Sequence, residues 1–332
     1  MFPLDERVRI AARRSGLGLA ALAALTFGLI VLGAVVRAKG AGLACPDWPL
    51  CFGRAVPAFD AKIALEWGHR VLAGFVSLGL LATSAYVLRF PELRRLTRGP
   101  LSLAWLLLGV QVALGGFTVL LGLAPWTVTA HLVVGNAFCA TLLWLSRDMI
   151  EAGRVRVRER DALEPSVAFA VALFAVLLVG QIVLGGMVSS NLAGLACSAF
   201  PTCDGDSIAP TLSGLVGIHV LHRLNACALA LACIGLVWLT RGQAPRGEAE
   251  RRRGPGIAGW LARICLHIVL LQIVVGAVNV LGQLPSDVTA LHSALAAGLV
   301  ISTALLVREA WLAQAAAARA ASEPDRALEL AS

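Results

Sequence analysis

Uncharged apolar stretches long enough to cross a bilayer recur along this chain, and no other feature restricts its fold as much. A hydrocarbon core of roughly 30 Å takes about 20 helical residues at about 1.5 Å each. Stretches of that kind predict spans at 16–37, 63–88, 100–122, 126–147, 165–188, 214–240, 258–281 and 286–308. Apolar residues make up 58% of the 332 and charged residues only 14%, against about a quarter charged in a soluble domain. A soluble single-core protein is therefore disfavoured. The first stretch, Gly16 to Val36, is too long for a signal-peptide core and no small-residue cleavage pattern follows it, so it is expected to stay in the mature protein.

The net charge of +8 does not point to nucleic acid. Most of the 28 Lys and Arg lie in the N-terminus, near 89–98, 147–160 and 241–263, and in the C-terminus; in the opposite connections stand only Arg37, Lys39, Arg54 and Lys62. By the positive-inside rule, both termini and the basic loops are expected in the cytoplasm, and the cysteine loops outside. The basic charge reads as topology, and no nucleic-acid partner is expected.

Residues 28–53 repeat in 180–205. Gly28, Leu32, Gly33, Val36, Gly42-Leu43-Ala44-Cys45, Pro49, Cys51 and Gly53 meet Gly180, Leu184, Gly185, Val188, Gly194-Leu195-Ala196-Cys197, Pro201, Cys203 and Gly205. With a small shift His69-Arg70 meets His222-Arg223, and Gln111, Gly115 and His131 meet Gln272, Gly276 and His292. The fold class that follows is all-α: a polytopic membrane protein of eight transmembrane helices in two pseudo-symmetric four-helix bundles. The halves are expected at 1–152 and 153–315, with a cytoplasmic tail at 316–332 that is either a helix extension or disordered. Four spans per half make the repeat parallel, which weakens a transport reading without removing it.

His69, His131, His222 and His292 occupy equivalent places in the two halves. An ionisable residue inside a membrane is costly and points to function. Each of the four is expected roughly 8–12 Å below the outer boundary, at about 1.5 Å per residue. Two neutral imidazoles facing one another across a bundle suit a six-coordinate haem iron. Another metal, or a structural or proton-relay role, is the weaker alternative. No C-x-x-C-H occurs, so thioether attachment is not expected. Arg70 and Arg223 either pair with haem propionates or snorkel to the interface. His267, which lacks a counterpart, reads as a hydrogen-bonded packing residue.

Three residues before the histidine, the first half has Glu66 and the second His219. The spacing places either side chain on the histidine's own face. A carboxylate there can move protons or stabilise positive charge, or it is an interfacial acid, solvated near the membrane surface or paired with Arg70. Cys45 and Cys51, like Cys197 and Cys203, bound C-x5-C loops on the outer side, where disulfides persist. Each pair is expected either to staple its loop or, for the first pair, to exchange with an outside thiol carrier. Cys139, Cys227, Cys233 and Cys265 read as small apolar residues of the spans.

Glu66-Trp67-Gly68-His69-Arg70, the two outer cysteine pairs and the four matched histidines together resemble the haem A synthase family, in its cysteine-bearing bacterial branch. The resemblance runs over about 16–308 and implies a place in the bacterial cytoplasmic membrane. It implies a membrane oxidoreductase that hydroxylates a methyl group of haem O twice, the diol losing water to leave the formyl group of haem A for cytochrome oxidase. It further implies haem b in the C-terminal half at His222 and His292. Substrate haem O would lie in the N-terminal half at His69 and His131, with Glu66 as catalytic acid. Haem O synthase and an external thiol reductant or a quinone are the partners it suggests. The rival reading is a diheme b-type cytochrome exchanging electrons with quinol, which has no need for Glu66.

Overall fold

The structure is a computed structural model that describes residues 4–58, 60–155, 163–241 and 256–329, with side chains as far as Arg319. Parts of the expected basic segments near 147–160 and 241–263 lie outside the described residues. Among the described residues eight long helices are apolar enough to cross a membrane. They are α1 (Glu6–Ala38), α2 (Ala61–Val87), α3 (Pro91–Leu120), α4 (Pro125–Ala152), α5 (Pro165–Ser190), α6 (Gly214–Arg241), α7 (Ile257–Leu281) and α8 (Ser286–Glu329). The chain is a multi-pass membrane protein. In lipid every backbone polar group needs a partner within the protein, and helices supply one within each span.

Helix starts follow local chemistry. Asp5 caps α1 by accepting from the Glu6 N–H, and Asp60 caps α2 by accepting from Lys62 and Ile63. Proline opens α3, α4 and α5, where its missing N–H costs nothing. Several helices outrun the expected spans. α1 begins near Glu6 rather than 16, α3 begins at Pro91 rather than 100 and carries Pro100 inside, and α8 continues to Glu329. Hydropathy marks the length that lipid covers, whereas a helix continues through charged residues with good helix propensity. The tail expected after 315 is thus a helix extension as far as it is described.

The two bundles have separate cores. Leu19, Leu80, Leu93, Leu142 and Met149 centre the first, across α1–α4. Phe174, Leu236, Cys265 and Leu306 centre the second, across α5–α8. Large apolar residues such as Phe75, Leu106, Phe169 and Trp238 instead point outward, where lipid takes the place of water. In the first bundle α1 and α4 lie closest: a Cβ on Gly16 would stand 2.7 Å from Ile150 Cγ1, and Ser146 donates to the Gly16 carbonyl at 2.8 Å. α2 and α3 touch little, whereas their counterparts α6 and α7 pack closely.

The halves meet through α1 against α8 and α4 against α5 and α8. At the disulfide-bearing end Thr129 on α4 bonds Ser190 on α5 at 3.0 Å, and Arg37 donates to the Ser189 carbonyl at 2.9 Å. At the opposite end Arg308, the largest fully buried side chain, reaches from α8 to Asp148 and Glu151 on α4 at 2.6–3.1 Å.

Candidate functional site: four seated histidines under two disulfide loops

Each of the four matched histidines lies against a glycine on the neighbouring helix. His69 on α2 faces Gly33 on α1, and His131 on α4 faces Gly115 on α3. His222 on α6 faces Gly185 on α5, and His292 on α8 faces Gly276 on α7. A Cβ placed on these glycines would stand 3.3, 3.2, 3.1 and 3.1 Å from the respective ring Cε1 atoms. The missing side chain is what lets the imidazole lie on the helix backbone. This repeated cradle holds four rings in equivalent orientations.

The rings form two pairs. His69 stands within electrostatic reach of His131, and His222 within reach of His292. The Nδ1 atoms of all four are buried without a hydrogen-bond partner. Leaving such a group unsatisfied costs about 1–3 kcal/mol each, and four instances in two facing pairs call for a ligand. Two nitrogens per pair suit the axial positions of a haem iron. Among the described residues no group of three or more His, Cys, Asp or Glu gathers to cage a bare ion.

The Nε2 atoms reveal a further partner. Gln111 places its amide nitrogen 3.3 Å from His131 Nε2, and Gln181 places its own 3.4 Å from His222 Nε2. Gln181 is itself held by Asn225, which donates to its Oε1 at 2.7 Å and to the Leu177 carbonyl at 3.0 Å. The sequence reading missed Gln181 and Asn225. The signal was present, because Gln111-x3-Gly115 and Gln272-x3-Gly276 share their spacing with Gln181-x3-Gly185.

A lid of disulfide loops adjoins each pair. Cys45–Cys51 and Cys197–Cys203 are both formed, with Cα–Cα distances of 4.8 and 4.3 Å. Glu66 is buried, 5% exposed, and does two things at once. Its Oε2 accepts from the Cys45 N–H at 2.8 Å, and its Oε1 pairs with the Arg70 guanidinium. The pairing with Arg70 is among the alternatives the sequence left open. The bond to the cysteine backbone was not foreseen, since a main-chain partner carries no residue-type signature. His219, in the equivalent place, sets Nδ1 3.3 Å from the Cys197 N–H and 3.0 Å from the Ala193 carbonyl.

Arg70 also donates to the carbonyls of Asp47, Leu50 and Cys45 at 2.7, 2.6 and 3.4 Å. Arg223 donates to Thr202 and Cys197 carbonyls, both at 3.0 Å, with its guanidinium carbon 5.8 Å from the Phe200 ring centre. His69 and His222 therefore sit in the bundle while the arginine after each holds the loop above. In the first loop, the N–H groups of Gly53 and Phe52 bond the Asp47 carboxylate at 2.7 and 2.6 Å and hold its pKa below the usual range. His267 bonds its own helix at Arg263 O, as expected of a hydrogen-bonded residue, but it is exposed on α7 rather than packed. Cys139, Cys233 and Cys265 are buried, and Cys227 is exposed.

Comparison with known proteins matches residues 18–304 to the cytochrome oxidase assembly protein family (COX15-CtaA). The chain belongs to that family. Among individual relatives of this family, a protein named heme A synthase from Shewanella oneidensis is 30% identical over 326 residues, covering 85% of this chain and 92% of its own. A heme A synthase from Methylobacterium nodulans is 30% identical, covering 76% and 82%, and one from Halalkalibacterium halodurans is 28% identical, covering 75% and 80%. The family match spans all four histidine seats and both disulfide loops.

Proposed function

We propose that the protein is a haem A synthase, a membrane oxidoreductase that converts a methyl group of haem O to the formyl group of haem A. The observation that carries this reading is the pair of glycine-seated histidine couples, alike in seat and unlike in surroundings. Membership in a family whose relatives are named heme A synthase supports it.

In this reading haem O binds between His69 and His131, and haem b resides between His222 and His292. Bound haem b supplies one-electron redox chemistry. The chain's own residues do the rest. Gly33 and Gly115 fix the imidazoles in place, the bundle excludes water, and Glu66 supplies an acid beside the first couple. Its carboxylate can take a proton or balance positive charge as the methyl carbon is oxidised, and Arg70 holds it in position. His219 offers no such fixed anion, which suits a resident cofactor rather than a substrate. The disulfides staple the loops above both sites. Both termini lie in the cytoplasm and the disulfide loops outside, by the arginine distribution. Haem O synthase and an outside thiol reductant or a quinone are the partners of this scheme.

The test is conversion. The full chain expressed in a haem O-producing host is purified, and its extracted haems are separated by chromatography. Haem A is expected from the wild type and absent from Glu66→Gln. Haem b at two equivalents with haem O untouched would overturn the reading in favour of a diheme cytochrome.

A further inference from the structure

The two disulfide loops are held alike in three ways and unlike in a fourth. In both, the arginine after the histidine donates to loop carbonyls: Arg70 to Asp47, Leu50 and Cys45, and Arg223 to Thr202 and Cys197. In both, the N–H of the first cysteine meets the side chain three residues before that histidine, Glu66 or His219. In both, a loop glycine lies against a leucine of the turn that precedes the fourth helix. A Cβ on Gly42 would stand 3.4 Å from Leu123 Cδ2, and one on Gly194 would stand 2.9 Å from Leu284 Cδ1. The first loop adds Trp48. Its indole lies on Gly116 of α3, where a Cβ would come within 3.2–3.4 Å of three ring carbons. Gly116 directly follows Gly115, the seat of His131. In the second half Phe200 and Ala277 stand in the places of Trp48 and Gly116. Phe200 lies 5.8 Å from the Arg223 guanidinium carbon, on the α6 side, and the methyl group of Ala277 replaces bare backbone. The helices differ on the same side: α2 and α3 touch little, whereas α6 and α7 pack closely. Trp48, on a loop anchored to α2 and lying on α3, bridges the side where the first bundle is open.

We infer that Trp48 is the latch of the first site, a positioning residue that closes the substrate pocket across the gap between α2 and α3 and lifts off Gly116 to let the porphyrin pass. This rests on the function proposed above. A site that oxidises a methyl carbon must exclude water during the reaction, yet it must exchange its porphyrin at every turnover. A side chain that moves between two positions serves both needs. A resident haem needs no such door, and in the second half close packing of α6 on α7 shuts that side. The contact itself suits a latch. A flat ring on glycine backbone is held by dispersion, and 37% of Trp48 stays exposed, so the two part without breaking a hydrogen bond. Arg70 and Glu66 keep the rest of the loop anchored while the indole swings.

The experiment uses the full chain carrying His222→Ala, so that haem b added as a probe reads the first site alone. Uptake is followed by stopped-flow absorbance and release by transfer to excess apomyoglobin. Trp48→Ala is expected to speed uptake and release together, each by about tenfold, and to leave the dissociation constant within about threefold of the parent. A latch sets the barrier to passage and not the depth of the bound state. Loss of an ordinary binding contact would speed release alone, and general loosening of the bundle would weaken binding without faster uptake. Gly116→Ala, whose Cβ would stand 3.2 Å from Trp48 Cδ2, is expected to act in the same direction and decides the matter if Trp48→Ala fails to fold. Trp48→Phe, which keeps an aromatic face, should recover part of the closure. Rates within about twofold of the parent in both Trp48→Ala and Gly116→Ala, or faster release without faster uptake, would overturn this inference and leave the proposed function standing. Failure of the His222→Ala chain to take up any haem would overturn both.

Discussion

A single methyl group at the right glycine should unseat a ring. The Cβ of Gly185→Ala would stand 3.1 Å from His222 Cε1, and that of Gly33→Ala 3.3 Å from His69 Cε1. The ring must give by a few tenths of an ångström, which moves its nitrogens. Each substitution is expected to weaken haem binding in its own half by about tenfold, read as a Soret titration. Gly74→Ala, where nothing lies within 4 Å, serves as the neutral comparison. At the first loop, the N–H bonds from Gly53 and Phe52 depress the Asp47 pKa. A depressed carboxyl lends order that is fully present above its unfolded pKa near 3.9 and is lost as pH falls through the lower folded value. Phosphine reduction of Cys45–Cys51 should therefore stay slow to below about pH 4 and then quicken. Asp47→Asn should be reduced faster at neutral pH and lose that pH step.

The histidines were legible at this scale because a buried, ionisable side chain repeated in two halves stands out against an apolar background. Glu66 was legible as a difference from His219. Its bond to the Cys45 N–H was not, because a loop backbone brought over a helix leaves no mark in residue order. Gln181 left a signal in the Gln-x3-Gly spacing it shares with Gln111 and Gln272, whereas Asn225 left none, because Leu72 stands in its place in the first half and nothing in residue order marks it as a partner of Gln181.

Between helices, small residues set the distances. Gly16 lets α1 approach α4 so closely that a Cβ would meet Ile150 Cγ1 at 2.7 Å and its backbone nitrogen at 2.9 Å. Backbone cannot rotate out of the way as a side-chain tip can. Gly16→Ala is expected to cost about 1–3 kcal/mol, seen as a lower midpoint of thermal unfolding in detergent. Spans were readable because lipid demands about 20 apolar residues of each. Helix ends were not: Pro91–Gly99 is too polar for hydrocarbon yet continues α3, and the segment past Arg308 likewise continues α8. Hydropathy measures the solvent and not the hydrogen-bond ladder, so it stops short wherever a helix leaves the bilayer.

Across the whole molecule, a buried ionic cluster joins the halves at the end opposite the disulfides. Arg308 is only 2% exposed and bonds both Asp148 and Glu151. In the sequence Arg308 closes the eighth predicted span while Asp148 and Glu151 fall in the basic segment near 147–160, and nothing in residue order brings them together. Arg308→Ala would remove the buried guanidinium that Asp148 and Glu151 share. Because Asp148 and Glu151 keep side-chain exposures of 29% and 18%, the loss belongs at the low end of the range for a broken buried pair, about 3 kcal/mol. The two halves should then unfold less cooperatively than in the wild type, seen as a broader thermal transition in detergent. The repeat shows why: each half has its own core, so what holds them together is the interface alone.

Unlike halves built on one plan imply unlike haems, and spectra of two variants test that most directly. His69→Ala and His222→Ala are purified from a haem O-producing host, and each is assayed for bound haem by pyridine hemochrome spectra and chromatography. His222→Ala is expected to lose the resident haem b. His69→Ala is expected to keep haem b and to contain no haem A. Equal loss of haem b in both variants, with haem O unconverted in the wild type, would contradict the division of labour between the halves.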